Sequence, residues 1–141
     1  MITTSLRTGR LATIRVQYPI TDDEFDVFLI EIRKVIVSVR SPAVFCTDLR
    51  ESRLMAARMA DRVMALMRRD NLHIERNAML LPLDGAVLAL QFDRILREAG
   101  SEKRRAFRDA AQAAAWLGEV LTFAEQKSLL EFIAEHGASS P

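Results

Sequence analysis

Residues 43–55 read AVFCTDLRESRLM. Val44, Phe45 and Cys46 form a short apolar run of the kind that makes a buried strand. Thr47, Asp48, Arg50, Glu51 and Ser52 interrupt it, and a helical pattern follows from about Ser52 to Arg69. Met55, Met59, Val63, Leu66 and Met67 make the apolar stripe of that helix. A buried strand that feeds a helix is the repeating unit of an α/β sheet.

The flanking sequence extends this unit in both directions. ITTSLRTGRLATIRVQYP (residues 2–19) predicts two strands joined near Gly9: Ile14, Val16 and Tyr18 alternate with Arg15 and Gln17, and Pro19 ends the second strand. Thr21 and Glu24 have the spacing of a capping box and open a helix to about Val39. Phe25, Phe28, Leu29, Ile32, Val35, Ile36 and Val39 share one face of it, while Val27, Ile30 and Val37 fall outside that face. Downstream, NLHIER (71–76) reads as a link and AMLLPL (78–83) as a strand. DGAVLALQFDRILREAG (84–100) reads as a helix stopped by Gly100. RRAFRD (104–109) predicts a last strand and AAQAAAWLG (110–118) a helix. Thr122 and Glu125 then open a final helix. The order ββαβαβαβα, with one more helix, predicts a mixed and mostly parallel sheet covered by helices.

With 141 residues the chain fits one domain, expected over 1–136 with a frayed tail at 137–141. A domain of this length buries roughly two thirds of its unfolded surface and needs no metal or disulfide to stand. A net charge of +1 offers no electrostatic case for nucleic acid or an anionic membrane. The single cysteine, Cys46, excludes an intrachain disulfide. The first ten residues lack an apolar signal core, and no uncharged apolar stretch reaches the roughly 18 residues of a membrane span. A reduced, cytoplasmic protein without membrane insertion is expected.

No catalytic motif emerges. His73 and His136 lack partners at metal-ligand spacing, and neither a phosphate-binding glycine loop nor a GxSxG elbow is present. No cofactor and no metal are expected. Cys46 lies in an apolar strand, where a thiol serves as core; an enzyme would need Cys46, Asp48 and His73 in one cleft. KRRAFR (103–108) is too short a basic patch for nucleic acid and reads as a solvated strand entrance. Met55, Met59 and Met67 follow the apolar stripe, whereas Met64 lies off it and is a candidate for exposed contact. Asp48, Arg50, Ser52 and Arg53 form a candidate anion site, because helix N-termini favour anions and two arginines flank the serine.

Three stretches carry a family resemblance. GRLATIRVQYPITDDEFDVFLIEI (9–32) looks like a second strand and first helix, and AVFCTDLRE (43–51) like a central strand ending in Asp-Leu-Arg. RRAFRDAAQAAAWLG (104–118), with Phe107, Trp116 and Leu117, looks like a last strand and its helix. Together they resemble the STAS domain, in its SpoIIAA-like (STAS/SEC14) branch of small bacterial proteins, over about residues 5–120. The resemblance implies a noncatalytic regulatory or protein–protein module. Among anti-sigma-factor antagonists of this kind, a serine or threonine at the start of the second helix is phosphorylated. Ser52 is the nearest position here, though the Asp-Ser pair of that group is replaced by Glu51-Ser52. The lipid-transfer relatives in the name bind apolar ligands. The expectations are therefore a protein partner or homodimer, with Ile30, Val37 and Met64 as interface candidates, and alternatively a lipid or anion site.

Overall fold

The computed structural model describes residues 1–40 and 42–136. Five strands form one mixed sheet: β1 (Ile2–Thr8), β2 (Leu11–Gln17), β3 (Ala43–Glu51), β4 (Ile74–Leu80) and β5 (Arg104–Phe107). Their spatial order is their order in the chain. β1 and β2 are an antiparallel hairpin, and β2 through β5 are parallel. Among the described residues there are five α-helices: α1 (Asp22–Ser38), α2 (Ala57–Asp70), α3 (Ala86–Ala99), α4 (Ala110–Gly118) and α5 (Phe123–Ala134). The frayed tail expected at 137–141 lies outside the described residues.

The strand order dictates the layering. Each crossover from β2 to β5 steps the same way across the sheet, and such crossovers are right-handed. α1, α2 and α3 must therefore share one face. Their core holds Ile14, Phe28, Phe45, Met67, Met79 and Phe92. α4 and α5 follow the last strand and cover the other face, over Leu11, Val44, Cys46, Ala78 and Leu80. β3 is the central strand and is buried on both faces along most of its length, as central parallel strands are.

Both predicted capping boxes form. The Thr21 hydroxyl accepts from the Glu24 amide at 3.1 Å, and Thr122 accepts from the Glu125 amide at 3.2 Å. Glu125 also reaches across the chain, accepting from the Arg10 amide at 2.8 Å. It packs so closely over Gly9, at φ +55° in the hairpin turn, that any Cβ there would collide with its carboxylate. This glycine thus serves both a left-handed turn and a close contact.

Three expectations need correction. α2 begins at Ala57, not Ser52. β3 runs on to Glu51 because Glu51 stays paired with Gln17. The segment 52–56 then crosses the sheet end, where Gln91 of α3 takes the Met55 backbone: Met55 N–H donates to Oε1 at 2.9 Å and Nε2 donates to Met55 C=O at 2.8 Å. β4 begins at Ile74, so part of the expected link is strand; only Asn71–His73 bridges from α2, as a 3-10 turn. Met64 is 5 % exposed, beneath α2 with Ala60 and Met67. It stands four residues after Ala60 and three before Met67, the spacing that places all three on the inward face.

Candidate functional site

β3 carries Asp48 to the α5 side of the sheet, where it is almost fully buried. Its Oδ1 accepts from Arg50 N at 3.0 Å and Arg50 Nε at 2.9 Å, and its Oδ2 from Arg50 Nη2 at 3.1 Å and Arg15 Nε at 3.4 Å. Burial alone would raise the Asp48 carboxyl. The Arg50 side chain and amide, with Arg15, outweigh burial and hold it below the ordinary carboxylate range. The same arginines grip the end of α5: Arg50 donates to Ile133 C=O at 3.0 Å and Arg15 to Phe132 C=O at 3.0 Å. Arg7 and Arg15 pair with Glu135 and stack over the Phe132 ring, at 4.9 and 4.4 Å from its centroid. Cations at the carbonyl end of a helix are favourably placed. Asp48 and Arg50 are thus occupied in holding α5.

The expected anion entrance does not stand at a helix N-terminus, because α2 begins at Ala57. Ser52 stands in the loop ahead of α2, where its amide donates to Leu49 C=O at 2.9 Å and its hydroxyl lies 3.4 Å from Val16 C=O. Arg53 is exposed and stacks on Tyr18, 5.5 Å from the ring centroid. Asp48 faces α5, whereas Arg50, Ser52 and Arg53 line a shared open groove together with Asp84. Cys46 and Asp48 do lie on one face of β3. Burial, aided by the Asp48 charge, pushes the Cys46 thiol up to about 12. His73 is exposed at the opposite end of the strands, next to the Ala43–Ile74 pair, whereas Asp48 pairs with Leu80. The three residues of the enzyme reading are not brought together. Among the described residues no cluster of metal-ligating side chains occurs.

The other face of the sheet holds a cavity of about 90 Å³ between α1, α2 and the strands. Phe25, Phe28 and Ile32 of α1 face Met59, Val63 and Leu66 of α2 across it. α2 packs directly on α3, but keeps its distance from α1. α1 and α2 are joined instead by ion pairs at their outer edge, Arg58 with Asp22 and Arg62 with Asp22 and Asp26. Val16, Ile20, Leu49, Met55, Met59 and Phe92 wall both this cavity and a groove of about 460 Å³. The groove lies beside the 52–56 loop at the carboxyl ends of the strands, the usual place for ligands in α/β sheets. Cavity and groove together reach the scale of small-molecule sites, roughly 300–1,000 Å³.

Four polar side chains line the cavity near the end of α2: Thr47, Asp70, Asn77 and Arg104. Register pairs Asn77 directly with Arg104. Thr47 Oγ1 donates to Asn77 Oδ1 at 3.0 Å. Asp70 is taken by Arg69 through two bonds of 2.8 and 3.0 Å. Arg104 Nε donates to Asn71 Oδ1 at 2.9 Å and its Nη2 to Met67 C=O at 3.4 Å. Burial pulls the Arg104 guanidinium down to about 10, against the pull of Asp70, so it stays charged at neutral pH. The expectation that KRRAFR is a solvated strand entrance is corrected at one position: Lys103, Arg105 and Arg108 are exposed, but Arg104 is 7 % exposed. Its inward strand position was the available signal, hidden by the neighbouring arginines. Asn77 was hidden in the same way by Glu75 and Arg76.

Of the interface candidates, Ile30 and Val37 are 58 % and 74 % exposed on α1, with Val27 beside them, while Met64 is buried. No helix among the described residues is long and apolar enough to cross a membrane. No protein-family model, curated protein or solved structure matches the chain.

Proposed function

We propose that the chain is a noncatalytic, STAS-like binding module that holds a small apolar ligand between α1, α2 and the sheet. One observation carries this reading: the α1–α2 gap is a cavity lined by phenylalanine, isoleucine and methionine and continuous in its walls with a groove at the strand ends. Flexible methionines suit such a site, because they repack around different shapes. The ion pairs that span the gap lie at its outer edge, where such pairs contribute only about 0–1 kcal/mol each, so they add little to what holds α1 and α2 together. The STAS likeness is supported by the leading hairpin, the alternating strands and helices, and the contact of Phe107 with Trp116, whose rings lie 5.7 Å apart. Native mass spectrometry of the freshly purified protein tests the reading, together with titration of decanol followed by calorimetry. A carried-through apolar adduct or saturable decanol binding, abolished by Val63→Phe, supports it. A clean apo mass with no decanol binding overturns it.

A second reading is favoured by the exposed stripe of Val27, Ile30 and Val37 on α1: docking of a protein partner or a second copy. Light scattering on the wild type and on an Ile30→Asp/Val37→Asp variant tests it. An assembly lost in the variant supports docking; a monomer at every concentration argues against a second copy.

A further inference from the structure

The cavity is apolar along most of its length, yet one end is built from polar groups that the fold does not fully use. Asn77 is 4 % exposed. Its carbonyl accepts from Thr47, and among the described residues its amide nitrogen has no acceptor. Arg104 donates through Nε and Nη2 only, and no carboxylate lies within ion-pair distance of it among the described residues. The nearest acid, Asp70, is already matched by Arg69. Asp70 offsets part of the cost of the buried Arg104 charge from beyond hydrogen-bond reach, but it is shared with Arg69, so two cations lean on one carboxylate. Among the described residues, no side-chain nitrogen or oxygen is both sealed off and unpaired. The free hydrogens of Asn77 therefore open onto space, and the space beside that residue is the cavity it lines.

Building on the cavity reading above, we infer that the ligand carries a carboxylate head, bound by Arg104 and Asn77, on an alkyl chain that runs past Val63 and Met59 toward the groove. The chemistry follows from the donors. Arg104 offers positive charge and N–H groups, and Asn77 offers an uncharged N–H beside it on the next strand, so the pair presents donors only. A carboxylate, which accepts at both oxygens, completes them. An ammonium head would meet a like charge, and an alcohol would leave the charge unmatched. Thr47 keeps the Asn77 carbonyl engaged, which turns the amide nitrogen outward to the ligand. The apolar walls then suit an alkyl chain.

Calorimetric titration of the full-length, delipidated protein with decanoate, decanol and decylamine tests the inference. Decanoate is expected to bind about 10-fold or more tightly than decanol, the scale of a charge-assisted hydrogen bond, with decylamine weakest. Arg104→Met is expected to erase the gap between decanoate and decanol while leaving decanol binding in place. Should Arg104→Met fail to fold, the order of the three probes on the wild type decides by itself. Equal binding of decanoate and decanol by the wild type overturns the carboxylate assignment and leaves the cavity reading standing. A decanoate preference that survives in folded Arg104→Met overturns the role of Arg104. Binding of none of the three overturns both readings.

Discussion

Beneath α4 and α5, Leu11, Val44, Cys46, Ala78, Ala113 and Leu117 are sealed from solvent, and α5 is held at its end by Arg7, Arg15, Arg50 and Asp48. Beneath α1 and α2, the same sheet faces a cavity, and the helices above it are joined by exposed ion pairs. The two sides use charge in opposite ways. On the α5 side a buried carboxylate is saturated by arginines and fixes one arrangement. On the α1–α2 side a buried arginine makes no direct ion pair among the described residues and shares the Asp70 charge with Arg69, and the nearby packing leaves a cavity. For the binding module proposed above, a tightly held back and a loosely packed front would suit, because the sheet between them can hold its shape while one helix gives way.

The largest effects are expected where the rigid side is broken. Phe132→Ala removes a ring packed under α5 and flanked by two arginines, and should cost about 3–5 kcal/mol in urea denaturation. Asp48→Ala leaves Arg50 without its anion, while Arg15 keeps Glu135; loss of one partner of a buried pair costs about 3–5 kcal/mol. Acid titration sharpens this second case. The Asp48 carboxyl is held below its unfolded value, so its contribution is complete above about pH 4 and is lost as the pH falls through the folded value. Asp48→Ala should therefore flatten the acid limb of the stability profile. An unchanged limb would show that the pair contributes nothing to folding.

Smaller effects are expected on the adaptable side. Val63→Phe adds volume where the cavity leaves room, and should raise stability by up to about 2 kcal/mol, the range of cavity-filling changes, while closing the site to decanol. A loss of several kcal/mol would mean that α1 and α2 cannot accommodate the ring. The Ile30→Asp/Val37→Asp variant should change monomer stability by no more than about 0.5 kcal/mol, as surface substitutions do, whatever it does to assembly. Cys46 should resist iodoacetamide in the native protein and react only on unfolding, since its thiol is buried and raised to about 12.

Most of the architecture was legible because its signals are local. Capping boxes, apolar periodicity and the stops at Pro19 and Gly100 each lie within a few residues of the feature they mark. The errors arose where a distant partner decides. Ser52 is a plausible helix start by itself, but Gln91, on another helix, takes the Met55 backbone. Glu75, Arg76 and Asn77 look like a polar link, yet Arg10, Glu119 and Thr47 respectively pair with them and make a strand tolerable. The same reason hid the polar end of the cavity. Asn77 and Arg104 lie 27 residues apart in the chain, and only the β4–β5 register makes them neighbours. That Ile30 and Val37 lie off the buried face of α1, by contrast, followed from helical spacing alone.

Because the strands stand side by side in the order they occur in the chain, the sheet can assemble as the polypeptide leaves the ribosome, each new strand adding to the edge left by the last. The front helices are laid down during that growth, one per strand. The back is different: the hairpin turn at Gly9 waits for Glu125, and Arg7 waits for Glu135. Until those last helices arrive, a nascent chain carries a finished front, with its cavity, on an uncovered sheet. Such a chain exposes apolar sheet surface to chaperones on one side while the other side is already covered.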